Sequence, residues 1–564
     1  NLVEFQPGHR VTRPIMAFSS TTRRWSSRWR LGLLWFVALT WEVAFLVSGP
    51  HRMPGSCVHE VHPGIRHTDR SYLSGSSLAC LALFATGGLV CQRLRCSIQR
   101  HGHAKDAVQE ALGADFFQLL SRGKDSTLRP LIVAMGTRGD AEPGFRLAAA
   151  LRERGHVPLV VSLDAYKNEA ERLGLDFCSC GLDKVPLSEE YLTGRTRADQ
   201  VYSDSGWYGE DWTMVGDNIY AAAKEHGCDV IVTTSMANTH CLDVAEKLDL
   251  LCFALKFCPD IDGQVPVGAF PPSGYPSLPG PVNYLQHVLE NLRTVAAVFR
   301  GGYIPKVIEF RKNLGMESLE IPMVGAKVPT YSEMRQRLQA NQPSFYAFSN
   351  SLTDRPSEYQ PWHFITGSFS AGPSKLPSKL PGPLETFLKE APICVAFGSI
   401  TLARGSADSF QDMAVAAARR CGKKVLVVDP QTEVEGPDKE DSEVFRIRSA
   451  PYSVLFPRCS LVVHHGGAGT AQDCILAETA QLIAPVLSWS DQPFWANEVE
   501  NRMLGLKIGE GGTPPSAEAW DLVFQRSLEK LQTFQQNAVK AKQEMAKESG
   551  LETACQILED VFSS

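Results

Sequence analysis

The stretch from Leu461 to Gln492, LVVHHGGAGTAQDCILAETAQLIAPVLSWSDQ, leaves few folds open to the chain that contains it. Leu461, Val462 and Val463 spell an apolar strand, His464, His465, Gly466, Gly467, Ala468 and Gly469 a turn that no bulky residue obstructs, and Thr470 opens a helix running to about Thr479. A second strand follows at 482–487. Apolar strands alternating with helices are βα units on a parallel sheet. In such a unit the free N–H groups and the positive end of the helix dipole converge on one spot, which suits a phosphate. Three glycines let backbone approach the anion, and Thr470 with one of the two histidines adds side-chain donors. A glycine turn alone is an ordinary tight turn. Here Gln472 and Asp473 lie just beyond it, within reach of a ribose hydroxyl pair, and Asp491 and Gln492 follow the second strand. Carboxylate and amide side chains suit adjacent sugar hydroxyls. The pattern points to a nucleotide-sugar site.

The same grammar appears earlier. RPLIVAMGTRGDAEPGFRLAAALRERGHVPLVVS, from Arg129, gives a strand at 131–135, a turn with Gly136 and Gly139, a helix at 143–154 and a strand at 157–162. Ligands on parallel sheets bind at the carboxyl ends of strands, so the turn 136–142 is placed to face a substrate. DVIVTTSMANTHCLDVAEKLDLLCFAL continues the sheet and leads into a long loop rich in proline and glycine, CPDIDGQVPVGAFPPSGYPSLPGP; loops of that length inside a domain are usually functional. Leu285, Val288, Leu289, Leu292, Val295, Val298 and Phe299 then recur at helical spacing, which fits core packing or the wall of an apolar cleft. A segment rich in Pro, Ser and Gly, SAGPSKLPSKLPGPLETFLKEAP, separates this half from a second that opens with ICVAFGS. With 564 residues the chain is too long for one core. Its net charge of -6 argues against a nucleic-acid binder. The 15 cysteines have no paired spacing, so free thiols are expected, with no disulfide framework and no metal.

HHGGAGT followed by DQPFWAN resembles the donor signature of the GT-B glycosyltransferases that use UDP-sugars, in the branch that includes the sterol 3-beta-glucosyltransferases. The resemblance covers about 129–562. It implies an α/β, GT-B architecture of two Rossmann-like domains facing across a cleft, preceded by a hydrophobic N-terminal segment. The expected divisions are a targeting or membrane segment with tether at 1–128, an acceptor domain at 129–370, a linker at 371–390, and a donor domain at 391–564 whose terminal helix crosses back. By position the resemblance implies that the His464-His465 pair, Gly466, Gly467, Gly469 and Thr470 hold the diphosphate, His464 aligning with the phosphate-binding histidine. Asp473 or Gln472 holds the ribose, and Asp491 and Gln492 hold the sugar. Gly398 and Ser399 resemble the FGS element, whose N–H groups also face the diphosphate. GTRGDAEP resembles the branch's amino-terminal loop, which brings Gly136 and Thr137 into the site and puts Asp140 where wider relatives carry the basic histidine. Asp140 is therefore the expected catalytic base, against the plainer reading of a helix N-cap. Tyr452 stands where members often carry histidine. The implied activity is a hexosyltransferase, inverting, moving glucose from UDP-glucose to a lipid hydroxyl such as the sterol 3-hydroxyl. Another hydrophobic acceptor (glycolipid, polyketide or phenolic), or a catalytically silent lipid- or nucleotide-sugar-binding protein, is the alternative. No cofactor is expected beyond the UDP-sugar co-substrate, and no nucleic acid.

Ahead of this region, LGLLWFVALTWEVAFLVSG at 31–49 and LACLALFATGGLVC at 78–91 are apolar, with Arg23, Arg24, Arg28 and Arg30 before the first and Arg93, Arg95 and Arg100 after the second. Basic outer flanks fit a membrane hairpin across residues 31–91 with the catalytic region cytosolic. A cleaved organelle-targeting leader is the rival expectation.

Overall fold

The computed structural model describes residues 104–121, 127–184, 209–259, 268–369 except 269, 273–274, 276–277, 301 and 322–324, then 380–398, and 410–563 except 440. In chain order the first half supplies strands β1 (Pro130–Val133), β2 (Leu159–Ser162), β3 (Asp176–Ser179), β4 (Val230–Thr234) and β5 (Leu251–Lys256), a hairpin of β6 (Ser318–Ile321) and β7 (Ala326–Pro329), then β8 (Ser344–Tyr346) and β9 (His363–Ile365). The second half supplies β10 (Ile393–Ala396), β11 (Val425–Val428), β12 (Gly436–Pro437), β13 (Val444–Ile447), β14 (Leu461–His464), β15 (Ala480–Ile483) and β16 (Gly505–Lys507).

Two seven-stranded sheets result, ordered β3-β2-β1-β4-β5-β8-β9 and β12-β13-β11-β10-β14-β15-β16. All their pairings are parallel except β12 with β13. The strands PLIV, VIVTT, ICVA and VLVV are buried at every position, because helices cover both faces and no face is left for polar alternation. Each buried Val or Leu side chain contributes roughly 1.5–3 kcal/mol. In the first sheet the chain moves from β1 outward through β2 and β3, then returns to β4 on the other side of β1. The second sheet does the same from β10 to β14. Each reversal opens a crevice at the carboxyl ends of the two central strands.

The Gly550–Phe562 helix packs away from the second sheet. Its Ala554, Cys555, Leu558 and Val561 join the core beneath the first sheet. Arg154 pairs with Glu552 and Glu559, and His156 meets Glu559 at 3.0 Å. Residues read from the sequence as tether belong to the same core: Val108, Leu112, Phe117 and Leu120, on the Ala104–Leu112 and Ala114–Ser121 helices, are all buried there.

The expectation of membrane association is corrected. Among the described residues no helix is long and apolar enough to cross a membrane. The longest described helix, Gly280–Arg300, carries Glu290 and Arg293 within its span, which an apolar crossing does not accommodate. The proposed segment at 31–91, the hydrophobic N-terminal segment as a whole and the rival cleaved leader lie outside the described residues.

Candidate active site

The helix after β1 begins at Arg138 and runs to Glu153, five residues ahead of the start expected from Pro143. Proline inside a helix removes one backbone bond. Here the turn ahead of it is held by backbone bonds from Asp140 and Ala141 to the Thr137 carbonyl, and by side chains as well. Thr137, the N-cap, donates its backbone N–H to Asp140 Oδ2 at 2.8 Å and its hydroxyl to the same oxygen at 2.9 Å. Asp140 is therefore the third helical residue rather than the N-cap, and its carboxylate leans back over the turn. Gly136 makes that possible. It has φ +134°, and a Cβ there would sit 2.5 Å from both Asp140 Cβ and Asp140 Oδ2. Tyr166 closes the neighbourhood, its hydroxyl 3.3 Å from the Gly136 carbonyl oxygen. Burial, then the charge of Asp140, push the Tyr166 phenol well above its usual range. Sequence reading missed Tyr166, which carries no motif.

At the second reversal, β14 ends in His464 and the Ala468–Leu476 helix starts after Gly467. The first intrahelical bond comes from the Ala471 N–H to the Gly467 carbonyl, so the N–H groups of Ala468, Gly469 and Thr470 precede it and point outward from the helix end. Nothing lies within 4 Å of a Cβ added at Gly469. Gly466 has φ +95°, and a Cβ there would meet Ile483 Cγ2 at 2.8 Å and the Gln492 carbonyl oxygen at 2.9 Å. The glycine turn and the start of the Gln492–Asn501 helix are thus in backbone contact.

The two histidines part company. His464 is fully buried, accepts the Gly466 N–H on Nδ1 at 3.1 Å, and so carries its proton on Nε2, which meets Gln481 Oε1 at 3.0 Å. Both of its nitrogens are committed to the fold. The Nδ1 of His465 is buried without a partner. Its ring lies against Gly467, where a Cβ would come within 2.7 Å of Nε2, and beside Gly398, whose Cβ position is 3.6 Å from Cε1. His465 therefore sits between the turns that follow β10 and β14. Burial, with His465 adding to it, holds His464 down at about 3; burial holds His465 at about 4. Both rings are neutral at physiological pH.

Of the two candidates for the ribose, Gln472 is occupied. Its Oε1 accepts the Ser349 N–H at 2.9 Å and its Nε2 donates to the Ala468 carbonyl at 3.2 Å, so it ties the Ala468–Leu476 helix to the chain after β8. Asp473 is half-buried and close enough to Tyr452 to raise that phenol, after burial and the Cys394 thiol. Arg138, at the start of the Asp140 helix, opposes that rise, which brings the two crevices within electrostatic range of Tyr452. Gln492 spends its carbonyl oxygen on the N–H groups of Val486 and Leu487, at 2.8 and 2.9 Å, and Asp491 Oδ2 accepts the Trp495 indole N–H at 3.1 Å. Ser399 lies outside the described residues.

No family model matches the chain. It is similar to O-mycaminosyltylonolide 6-deoxyallosyltransferase of Streptomyces fradiae, 28% identical over 449 residues that cover 77% of this chain and 97% of that protein. Sterol 3-beta-glucosyltransferase of Neurospora crassa is 24% identical over 453 residues, 76% of this chain but 27% of the fungal protein. Among solved structures, the glycosyltransferase of kitacinnamycin superimposes with TM-score 0.54 at 14% identity, and the spinosyn forosaminyltransferase with 0.51 at 18%. Each covers 78% of this chain and 100% of its own. These two likenesses show the fold.

Proposed function

We propose, for a chain that is a hexosyltransferase enzyme and a GT-B-like glycosyltransferase related to diverse nucleotide-sugar transferases, that it moves a hexose with inversion from a nucleoside diphosphate sugar, UDP-glucose first, to a hydroxyl of a hydrophobic acceptor. The donor is held by 391–564 and the acceptor by 129–370. The observation that carries this reading is the open turn of Gly467 to Thr470 with the unpartnered His465 nitrogen beside it. Outward N–H groups, a helix dipole and a neutral imidazole suit a diphosphate whose charge grows as it leaves.

Asp140 takes the acceptor proton as that oxygen attacks the anomeric carbon from the face opposite the diphosphate. A carboxylate of solution pKa near ~4 is a weak base for an alcohol, so the proton moves late, when bond formation has acidified the hydroxyl. Thr137 fixes the carboxylate's orientation with two hydrogen bonds to one oxygen. Asp473 takes the ribose and Asp491 with Gln492 the sugar. The sterol 3-hydroxyl is one acceptor of this class and a polyketide hydroxyl another; the similarity to O-mycaminosyltylonolide 6-deoxyallosyltransferase, matched over 97% of its length, supports an acceptor other than a sterol.

The test is to incubate the full chain with radiolabelled UDP-glucose and a mixed extract of sterols and other apolar alcohols, then separate the organic phase. Label in a sterol or polyketide band identifies the acceptor. UDP binding without labelled product rejects glucose transfer, and failure to bind UDP rejects the donor site.

A further inference from the structure

Three consecutive residues after β8, Ser349, Asn350 and Ser351, are each bound by a different part of the second half. Gln472, on the Ala468–Leu476 helix, accepts the Ser349 N–H on Oε1 at 2.9 Å. Glu548, just ahead of the Gly550–Phe562 helix, accepts the Asn350 N–H at 3.0 Å, and Arg502, the C-cap of the Gln492–Asn501 helix, donates to the Ser351 carbonyl at 3.1 Å. Around these bonds Phe348 and Leu352 share an apolar cluster with Ala471, Ile475, Trp495 and Val499, and the Phe348 ring meets Trp495 edge-on at 5.7 Å between centroids. The first sheet grips the second half through the segment that leaves β8.

Gln472 carries that grip to the glycine turn. Its Nε2 donates to the carbonyl of Ala468 at 3.2 Å, and Ala468 is the first residue of the helix whose leading N–H groups point outward. One amide thus spans from the backbone of the first half to the backbone at the turn. Gln472 is 2% exposed, so it acts through these neighbours rather than on a ligand.

Such a link matters because the proposed transfer joins groups held on different sheets. Asp140 stands in the turn after β1, three strands from β8 in the same sheet and so ~14 Å across from it. The anomeric carbon is placed by the turn after β14. A misplacement of ~1 Å between such groups costs on the order of a hundredfold in rate. We propose that Gln472 is a positioning residue, which sets the register between the sheet that carries Asp140 and the glycine turn that holds the donor. This role rests on the proposed transfer. Cutting the tie leaves the donor bound and shifts it relative to the acceptor.

The test follows the sugar in the full chain, given radiolabelled UDP-glucose and a mixed extract of sterols and other apolar alcohols. Label passes to a lipid or, when water attacks the anomeric carbon instead, to free glucose with UDP released. Water is small enough to reach that carbon in either register, so the ratio of lipid product to free glucose reads the register, whereas loss of folded protein lowers both together. Gln472→Met, which removes both bonds at nearly unchanged volume, is expected to lower the ratio by roughly tenfold, with UDP affinity in calorimetry held within about twofold. Arg502→Met frees Ser351 at the end of the Gln492–Asn501 helix far from the glycine turn, and is expected to lower the ratio by roughly twofold to threefold. It carries the comparison if Gln472→Met does not fold. A ratio unchanged in the variants that fold, or a fall in UDP affinity as large as the fall in the ratio, overturns the positioning role alone. A native chain that labels no lipid overturns the transfer itself, and this role with it.

Discussion

In the first sheet the strand beside β1 is β4, which runs into the Ser235–Ala237 turn; in the second the strand beside β10 is β14, which runs into His465, Gly466 and Gly467. The positions correspond, yet their chemistry differs. Thr234, at the end of β4, accepts the Met135 N–H at 3.0 Å and returns its own proton to the Met135 carbonyl at 2.7 Å. The backbone at the start of that turn is bound by the protein's own side chain. After β14 glycines stand where side chains would fill the space, and His465 keeps an idle nitrogen. The same topology thus yields one strand end tied down by a side chain and one left to glycines, and the residue at the strand end decides which. In the first half the group proposed for chemistry, Asp140, comes instead from the neighbouring β1 turn.

The largest expected effect breaks the assignment of roles to halves. Asp140→Asn should lower turnover by about 10³-fold with UDP affinity unchanged in calorimetry, and Gly136→Ala, whose new methyl displaces the same carboxylate, should follow it. Near-normal turnover in Asp140→Asn would remove the base. Next, Gly466→Ala and Gly469→Ala should diverge. The first adds a Cβ into backbone at positive φ and should lose several kcal/mol of stability. The second meets nothing, so its melting temperature should hold while UDP binding weakens by roughly tenfold through obstruction of the anion. Equal stability in both would mean that the turn is not packed as described.

The histidine pair sharpens the comparison further. His465→Ala should weaken UDP binding by roughly tenfold with little change in melting temperature, whereas His464→Ala should cost about 1–3 kcal/mol of stability by orphaning its partners. A reversed pattern would restore the role that sequence position gave to His464. Acid should act through the same burial. Burial holds His464 and His363 at about 3 and His240 and His465 at about 4, with the Lys256 and Arg355 charges adding to the effect at His363. The unfolded chain, with imidazoles near ~6.5, takes up protons that the folded chain refuses. Stability is therefore full above ~6.5 and is lost as pH falls towards 4, by about 2 kcal/mol at pH 5 for a buried ring such as His464. A melting temperature flat from pH 7 to 4.5 would contradict this. The smallest effect belongs to the turn that Thr234 binds: Thr234→Val should cost about 1–2 kcal/mol and leave donor affinity alone.

The sequence made the sheets legible because VIVTT, ICVA and LVVH are runs whose only stable use is a strand covered on both faces. The glycine turn was legible for a related reason, since few other structures need three glycines at a helix start. It did not show which histidine turns inward. That depends on Gln481, seventeen residues on, meeting His464 across β15. Nor did it show that Gln472 is consumed by Ser349, a contact 123 residues apart. On the Gly280–Arg300 helix the exposure of Leu285, Leu289 and Leu292 departs from the core-packing alternative and leaves that of a cleft wall open. Its period was right, but period cannot say which face is covered, and here the polar face is.

The crossing of the Gly550–Phe562 helix onto the first sheet has a consequence for biosynthesis. Ribosomes add ~5–20 residues per second, and domains generally fold as they emerge. The first half's core includes Ala554, Leu558 and Val561, which are translated roughly 400 residues after the Arg138–Glu153 helix they cover. For tens of seconds, at ~5–20 residues per second, that apolar surface has no permanent cover. A nascent chain stalled in the second half would display it, and chaperones would meet it there before the rest of the enzyme exists.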